Sequence, residues 1–216
     1  MSPERRRIVF WRHGRTAWNA ESRFQGQTDV PLDDAGREQA ALAAAALARL
    51  QPARIVSSDL ARAMATAEAL AQRTGLGVEP DARLRETFAG EWQGLTRIEL
   101  EERFGTALAE WSAGADIRPG GGETRLEVAD RVVAGVLAAL ARTPDGTLVV
   151  ATHGGAARAA IGALVGLPPE HWAALGVLAN CAWSVLEENV TGHGPAWRLQ
   201  EYNARSLPVT ALADDR

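Results

Sequence analysis

Two of the four histidines stand at equivalent points of the chain, each directly after a short apolar run and directly before glycine. His13 follows the run 8–11, and His153 follows the run 148–152. Each run predicts a buried strand. In an α/β sheet, ligand sites gather at the carboxyl ends of strands, where glycine-containing turns expose helix N-termini. A neutral imidazole placed there can attack phosphorus and form a covalent phosphohistidine.

Arginines surround the first of these histidines. Arg12 and Arg15 flank His13, Asn19 follows in the same loop, and Arg62 lies in the first turn of a predicted helix. Guanidinium groups bind phosphoryl oxygens bidentately and stay charged at every relevant pH. Each arginine taken singly also fits a surface charge, and a lone Arg-His-Gly tripeptide also fits a structural histidine. The surface interpretation is weaker for Arg62, because other residues form the apolar stripe of its helix.

An alkoxide leaving from phosphorus needs a proton. Glu86, in the sequence Leu84-Arg85-Glu86, is a carboxylate that could act as general acid in a first step and as general base toward water in a second. Spacing alone does not distinguish Glu86 from the many other acidic residues.

The elements that must position these residues alternate along the chain. Hydrophobic periodicity predicts strands over 8–11, 54–58 and 148–152, and a closing hairpin over 182–186 and 197–202. It predicts helices over about 34–50, 60–75, 96–112, 126–142 and 155–167. Asp59 is the predicted N-cap of the second helix. The order predicts an α/β fold, a three-layer αβα sandwich. We expect a single domain over 1–216 with a small cap insertion at about 86–122.

Composition excludes several classes of function. The net charge of −4 argues against nucleic acid as a partner, because binding to a phosphate backbone requires a surplus of basic groups. All 23 basic residues are arginines, which excludes a Schiff-base lysine and a P-loop. Cys181 is the single cysteine, so no intrachain disulfide forms and a reducing cytoplasm is expected. No membrane segment is expected. The sequence leaves a homodimer open.

The remaining candidate ligands do not indicate a metal or a cofactor. His171 follows a proline pair and His193 lies between glycines, so both are expected at the surface. Zinc spacing of the His-x-x-x-His kind is absent. Trp18, Trp92 and Trp111 could line the mouth of the site, although most tryptophans serve packing. No cofactor is predicted.

The full pattern resembles the histidine phosphatase (phosphoglycerate mutase-like) superfamily. The motifs that carry the resemblance are Arg12-His13-Gly14-Arg15-Thr16-x-x-Asn19, Ser57-Ser58-Asp59-Leu60-x-Arg62-Ala63, Leu84-Arg85-Glu86 and His153-Gly154-Gly155. The resemblance implies a mixed, mostly parallel sheet and metal-independent chemistry. It implies these roles: His13 as phosphorylated nucleophile, Arg12 and Arg62 as phosphoryl ligands, His153 stabilising developing charge, Glu86 donating the proton, and Asn19 and Gln25 lining the pocket.

The resemblance allows two reactions, hydrolysis and mutase chemistry. The segments 90–94 and 119–123 resemble the phosphatase branch, and Arg97 and Arg103 are the only basic residues between Glu86 and Arg118. Further segments are similar to the actinobacterial glucosyl-3-phosphoglycerate phosphatases. They are Ser22-Arg23-x-Gln25-Gly26-Gln27, Arg85-Glu86-Thr87, Trp92-Gln93-Gly94-Leu95-Thr96 and Trp172-x-Ala174-Leu175-Gly176.

The resemblance thus predicts a phosphomonoesterase for a small phosphorylated metabolite. The alternatives are a phosphoglycerate mutase and a non-catalytic module that only binds a phosphorylated ligand. The segment after Gly155 and the segment Cys181-Ala182-Trp183 depart from the similar sequences, so substrate selectivity stays open.

Overall fold

The apolar run after the N-terminal arginines forms a strand in the interior of a six-stranded sheet. The computed structural model describes residues 5–206. Its strands are β1 (Arg7–Arg12), β2 (Pro52–Ser57), β3 (Val78–Pro80), β4 (Thr147–Thr152), β5 (Trp183–Glu188) and β6 (Trp197–Ala204), in the spatial order β3-β2-β4-β1-β5-β6. The four strands from β3 to β1 are parallel, and β5 and β6 form an antiparallel hairpin. The predicted mixed, mostly parallel sheet is confirmed.

Helices cover both faces of this sheet. They are α1 (Ala17–Ala20), α2 (Asp34–Leu47), α3 (Ala61–Thr74), α4 (Arg97–Ala113), α5 (Arg125–Leu140) and α6 (Gly154–Leu164). Alternate residues of β1 point to opposite faces, as the pleat requires. Ile8 and Phe10 join the core under α5 and α6, whereas Val9 and Trp11 join the core under α2 and α3. The three-layer αβα prediction is therefore confirmed.

Two helix starts show how local and tertiary capping differ. Asp33 caps α2 as its sequence predicts, since its carboxylate accepts from the N–H of Gly36 at 2.7 Å. The predicted cap by Asp59 is wrong. Its carboxylate instead accepts two bonds from Arg85, at 2.7 and 2.5 Å. The first N–H of α3 is bound by Asp29, 32 residues earlier, at 2.8 Å.

The segment between β3 and α5 builds a small core of its own around α4. Its buried members are Ala89, Trp92, Leu100 and Leu108. Phe24 and Trp111 pack against this cluster from its edge. The helix predicted near 96–112 is confirmed as α4, which is kinked at Phe104. The short α1 and β3 were not predicted, because neither is long enough to show a periodic pattern.

Glycine is required where the His13 loop meets α2. A Cβ on Gly14 would overlap the carbonyl oxygen of Gly36, and a Cβ on Gly36 would overlap the carbonyl oxygen of Arg15. The two backbones therefore touch without side chains between them. This close approach holds the loop after β1 against the first turn of α2.

Within residues 5–206, no helix has the length and apolar character needed to cross a bilayer. The same part of the chain holds no group of three or more His, Cys, Asp or Glu side chains that could bind a metal ion.

Candidate active site

The parallel register of the sheet brings the two histidines together. Arg12, at the end of β1, pairs with Thr152, at the end of β4, so the next residue of each strand emerges at the same edge. The rings of His13 and His153 lie with centroids 5.1 Å apart at an angle of 58°. Both side chains are buried. The expectation that the strand ends converge is confirmed.

The tautomer of His13 follows from one hydrogen bond. Its Nδ1 lies 2.7 Å from the carbonyl oxygen of Gly14. Because a carbonyl oxygen only accepts, the hydrogen must be on Nδ1, and the lone pair is left on Nε2. Burial, followed by the positive charges of Arg62 and Arg12, lowers the pKa of His13 well below its ordinary value. The imidazole is therefore a neutral nucleophile at pH 7.

His153 lies behind His13 and is held by one hydroxyl group. Its Nε2 is 2.8 Å from Oγ of Ser58, the residue that follows β2. Its Nδ1 is buried and has no hydrogen-bond partner among residues 5–206. Burial and the nearby charge of Arg62 also lower the pKa of this histidine. An anion bound beside His13 would give Nδ1 an acceptor.

Arg62 is fully buried at the start of α3, where two backbone carbonyls fix its guanidinium. It donates to Gly26 at 2.7 Å and to Thr28 at 2.8 Å. Its Nε is buried with no hydrogen-bond partner among residues 5–206. Burial lowers the pKa of Arg62 to about 10, so the group remains a cation at neutral pH. A buried cation with donors to spare is suited to bind an anion.

Arg12 and Arg15 leave the strand end in different directions. Arg12 donates from Nη1 to the carbonyl of Leu178 at 2.5 Å and lines the cavity with His13. Arg15 turns away and forms an ion pair with Asp33 at 2.8 Å. Of the two arginines that flank the histidine in sequence, only Arg12 faces the cavity.

Glu86 is placed by the N-terminus of α6. One carboxylate oxygen accepts from the N–H groups of Thr87 and Ala156, at 2.8 and 2.9 Å, and the other accepts from Gly155 at 2.9 Å. A Cβ on Gly155 would lie 2.7 Å from this carboxylate, so the glycine makes the approach feasible. The backbone thus fixes the acid in one orientation on the cavity wall.

Asn19 and Gln25 present amide N–H groups to the cavity because a threonine holds their oxygens. Thr16 donates from its backbone N–H to Oδ1 of Asn19 at 3.1 Å and shares its hydroxyl between Asn19 and Oε1 of Gln25, each at 3.1 Å. Asn180 adds a further bond to Asn19 at 3.3 Å. Within residues 5–206 neither amide nitrogen donates a hydrogen bond, so both can donate to an anion.

One cavity of about 180 Å³ unites these groups. Six of the seven site residues predicted from the sequence line it: Arg12, His13, Asn19, Gln25, Arg62 and Glu86. The seventh, His153, does not line the cavity but lies next to His13, with ring centroids 5.1 Å apart. A buried nucleophile, several cationic or N–H donors and one carboxylate together suit the transfer of a phosphoryl group.

Comparison with known proteins agrees with this geometry. The family model described as histidine phosphatase superfamily (branch 1) matches residues 8–205. The chain belongs to this superfamily. It is 43% identical over 213 residues to glucosyl-3-phosphoglycerate phosphatase of Mycolicibacterium vanbaalenii, covering 92% of this chain and 95% of that protein.

Two further proteins are similar to the chain. A solved structure of mycobacterial glucosyl-3-phosphoglycerate phosphatase in complex with VO3 superposes with a TM-score of 0.84 at 45% identity, over 92% of this chain and 99% of that one. The probable phosphoglycerate mutase GpmB of Citrobacter koseri is 37% identical over 199 residues, or 89% of this chain and 90% of that protein. Both a phosphatase and a probable mutase are thus similar to it.

Sequence reasoning missed several residues of this histidine phosphatase site. Arg158, Phe24 and Val177 also line the cavity. Arg158 had a signal, since it lies three residues after Gly155 and therefore on the same face of α6. Val177 had none, because it lies in a loop whose course only the folded chain defines.

The tryptophans, the other two histidines and the cysteine lie in different environments around this pocket. Trp111 lines the cavity and Trp18 lines its neighbour, but Trp92 is buried in the α4 cluster, so its expected place at the mouth is wrong. His171 and His193 are exposed, as predicted. Cys181 is buried, and burial raises the pKa of its thiol.

Proposed function

We propose that this chain is a metal-independent phosphomonoesterase that acts through a phosphohistidine on His13, with glucosyl-3-phosphoglycerate as its substrate. The observation that carries the proposal is the arrangement around His13. Its Nδ1 is held by Gly14, which leaves Nε2 as the nucleophile, and Nε of Arg62 and Nδ1 of His153 are buried with no hydrogen-bond partner among residues 5–206. A phosphoryl group would satisfy both donors. The relatives named for this activity support the assignment.

The reaction has two steps. In the first, Nε2 of His13 attacks phosphorus, the bond from phosphorus to the ester oxygen breaks, and protonated Glu86 gives its proton to the leaving alkoxide. In the second, the Glu86 carboxylate takes a proton from water as the water oxygen attacks phosphorus. The bond from phosphorus to Nε2 then breaks and inorganic phosphate leaves.

The groups around the nucleophile stabilise the negative charge that develops on the phosphoryl oxygens. In the proposal, Arg12, Arg62 and His153 bind the phosphoryl oxygens on which negative charge develops. Asn19 and Gln25 add neutral N–H donors. Since the guanidinium of Arg62 is positioned by backbone carbonyls, it need not reorganise during the reaction.

The size and lining of the pocket favour a substrate larger than a simple phosphate ester. A second cavity of about 230 Å³ adjoins the first and shares Asn19, Arg23, Phe24 and Trp111 with it. Aromatic faces cover sugar rings, and the buried Nε1 of Trp111 has no hydrogen-bond partner among residues 5–206. We assign the glucosyl group to this second cavity and treat 86–122 as a small cap insertion of the single domain.

Mutase chemistry is the second candidate, because a probable phosphoglycerate mutase is among the similar proteins. The cap offers little to hold a second phosphoglycerate anion. Arg97 is paired with Glu101 at 2.9 Å, and the guanidinium of Arg103 lies over the ring of Phe104. Interconversion of 2- and 3-phosphoglycerate faster than phosphate release would favour the mutase.

The experiment measures phosphate release in EDTA from a panel that includes glucosyl-3-phosphoglycerate, both phosphoglycerates and sugar phosphates. We expect His13→Ala to reduce turnover by at least about 10⁴-fold and to abolish an acid-labile phosphoenzyme trapped by rapid quench. His171→Ala, at an exposed histidine, is the matched control and retains full activity. Full activity in His13→Ala would reject the mechanism. Failure to trap a phosphoenzyme with any compound would favour a binding module.

The setting proposed for the enzyme is the cytoplasm, consistent with a single, buried cysteine thiol. A homodimer stays part of the hypothesis, and sedimentation equilibrium distinguishes it from a monomer.

A further inference from the structure

Two arginines of the cavity wall, Arg23 and Arg158, are not used by the phosphoryl chemistry, and Arg23 is already paired with Glu21 at 2.6 Å. Arg158 lines the cavity from α6, one helical turn after Gly155, whose N–H binds the Glu86 carboxylate. Its side chain is partly buried. Among residues 5–206 it forms neither an ion pair nor a side-chain hydrogen bond.

Within the described part of the chain, no carboxylate forms an ion pair with Arg158. The charges that act on it are those of Tyr202 and then Glu86, and the oxygens of Glu86 are already bound by three backbone N–H groups. The hydroxyl of Tyr202 donates to the carbonyl of Gly176. Burial lowers the pKa of Arg158 from its usual range. A partly buried guanidinium without an anionic partner costs free energy unless a ligand supplies the anion.

A second arginine reinforces this positive region. Arg125 lies with its guanidinium carbon 4.7 Å from the centre of the Trp111 ring and donates to the backbone carbonyls of Trp111 and Ala115. Burial, followed by the charge of Arg158, lowers the pKa of Arg125 to about 10. Both groups stay cationic at neutral pH, so this side of the cavity favours an anion.

The position of Arg158 separates it from the phosphoryl group. It lines the cavity from α6, one helical turn after Gly155, whose N–H binds the carboxylate of Glu86, the residue assigned to protonate the leaving group. Arg158 therefore faces the alcohol portion of the substrate.

We infer that Arg158 binds a carboxylate on the leaving group and so selects phosphate esters of hydroxy acids over those of neutral alcohols. This inference rests on the proposed function and assigns the recognition of the glycerate carboxylate to one residue. Arg125, behind Trp111, holds that wall of the cavity and adds to the positive field.

The test compares two substrates that differ only in the group that Arg158 is proposed to bind. 3-Phosphoglycerate has a carboxylate where glycerol 3-phosphate has a hydroxymethyl group. Loss of a charge-assisted, bidentate contact is expected to lower kcat/KM for 3-phosphoglycerate by about 10- to 100-fold in Arg158→Gln. The value for glycerol 3-phosphate should change less than about threefold. Arg158→Lys keeps the charge but cannot form the bidentate contact of a guanidinium, so it should restore part of the lost kcat/KM for 3-phosphoglycerate.

The matched control is Arg73→Gln, which removes the same charge from an exposed site at the far end of α3. It should leave both substrates unaffected. Equal losses on both substrates, or no loss on either, would overturn the inference. A wild-type enzyme without preference for the carboxylate substrate would overturn it too, while leaving the phosphatase intact.

Binding measurements keep this test separate from the test of the proposed function. Calorimetric titration with 3-phosphoglycerate and glycerol 3-phosphate needs no turnover. If the chain hydrolyses nothing, the phosphatase proposal fails. Arg158→Gln should still weaken binding of 3-phosphoglycerate by about 10- to 100-fold relative to glycerol 3-phosphate. Equal affinities of wild type for the two ligands would overturn the carboxylate role.

Discussion

The strand-end site and the α4 segment are built by different interactions. At the strand ends, backbone groups fix the reactive side chains: Gly14 holds His13, Gly26 and Thr28 hold Arg62, and α6 holds Glu86. In the α4 segment, rings fix one another. Trp92 packs edge-on against Phe24, with centroids 5.9 Å apart, and against Trp111 at 6.0 Å.

The difference indicates that the two regions serve different functions, the common reaction and the choice of substrate. Backbone hydrogen bonds hold the first region regardless of the substrate, so that region suits a reaction common to all phosphate esters. Side-chain packing shapes the second region, which can change without disturbing the first. The two meet at Glu86, whose carbonyl accepts from Arg131 at 2.8 Å while Arg131 pairs with Glu123 at 2.7 Å.

The largest effect after removal of His13 is expected from Glu86→Gln. Loss of the general acid should lower kcat for glucosyl-3-phosphoglycerate by about 10²- to 10⁴-fold. The loss should be much smaller for p-nitrophenyl phosphate, whose acidic leaving group needs no proton. Steady-state kinetics with both substrates measure this difference, and Glu91→Gln, at an exposed acid of the α4 segment, serves as the control. Equal losses on the two substrates would remove Glu86 from the proton-transfer role.

A smaller but uniform effect is expected from Arg62→Met. Removing one preorganised cation should lower kcat/KM by about 10²- to 10³-fold for every phosphate ester, because the contact is with the phosphoryl group itself. Arg15→Met is the control, since Arg15 is close in sequence to His13 but pairs with Asp33. Circular dichroism verifies that both variants fold. A substrate-dependent loss in Arg62→Met would contradict the division between the two regions.

A substrate-dependent effect is expected from Trp111→Ala. It should lower kcat/KM for glucosyl-3-phosphoglycerate by about 10-fold, the equivalent of about 1.4 kcal/mol, through loss of an aromatic face. The value for p-nitrophenyl phosphate should change less than about threefold. Trp111→Phe, which retains an aromatic ring, should fall between wild type and alanine. An equal loss on both substrates would show that the α4 segment supports the chemistry itself.

The smallest effect concerns pH and stability. The pKa values of His13 and His153 are lowered in the folded state, so below pH 6.5 the unfolded chain binds protons that the folded chain does not. Stability is therefore fully present above pH 6.5 and decreases as the pH falls. As the pH falls from 6.5 toward 5.5, the loss should be on the order of 1 kcal/mol for each histidine.

Urea denaturation at several pH values measures this loss. In His13→Ala the free energy of unfolding should depend less steeply on pH, because the contribution of His13 is lost. His171→Ala provides the comparison at an exposed site. An unchanged slope in His13→Ala would mean that His13 titrates alike in the folded and unfolded chains.

The sequence predicted the strand-end site well because its signals are local. His13 and His153 each combine an apolar run with a following glycine, and parallel strands then bring their ends to one edge. Arg62 and Glu86 required the family resemblance, since an arginine or a glutamate alone carries no such signal. Asn19 and Gln25 line the cavity as expected, although their orientation depends on Thr16.

Features that depend on residues far apart in the chain required the folded structure. Asp59 is of a residue type that commonly caps helices, yet its carboxylate binds Arg85. The first N–H of α3 is bound instead by Asp29, from a distant loop. Trp92 is buried although its sequence context does not distinguish it from Trp111, because only packing around α4 determines which ring faces the cavity.

From the sequence alone follow the residue types, the order of the elements other than the short α1 and β3, and the edge of the sheet at which His13 and His153 meet. These follow from periodicity and from chain connectivity, which are properties of neighbouring residues. Only the folded chain decided the tautomer of His13, the burial of Arg62 and the exposure of Arg158 to the cavity. Each of these depends on a hydrogen bond, a desolvation or a contact between segments far apart in the chain.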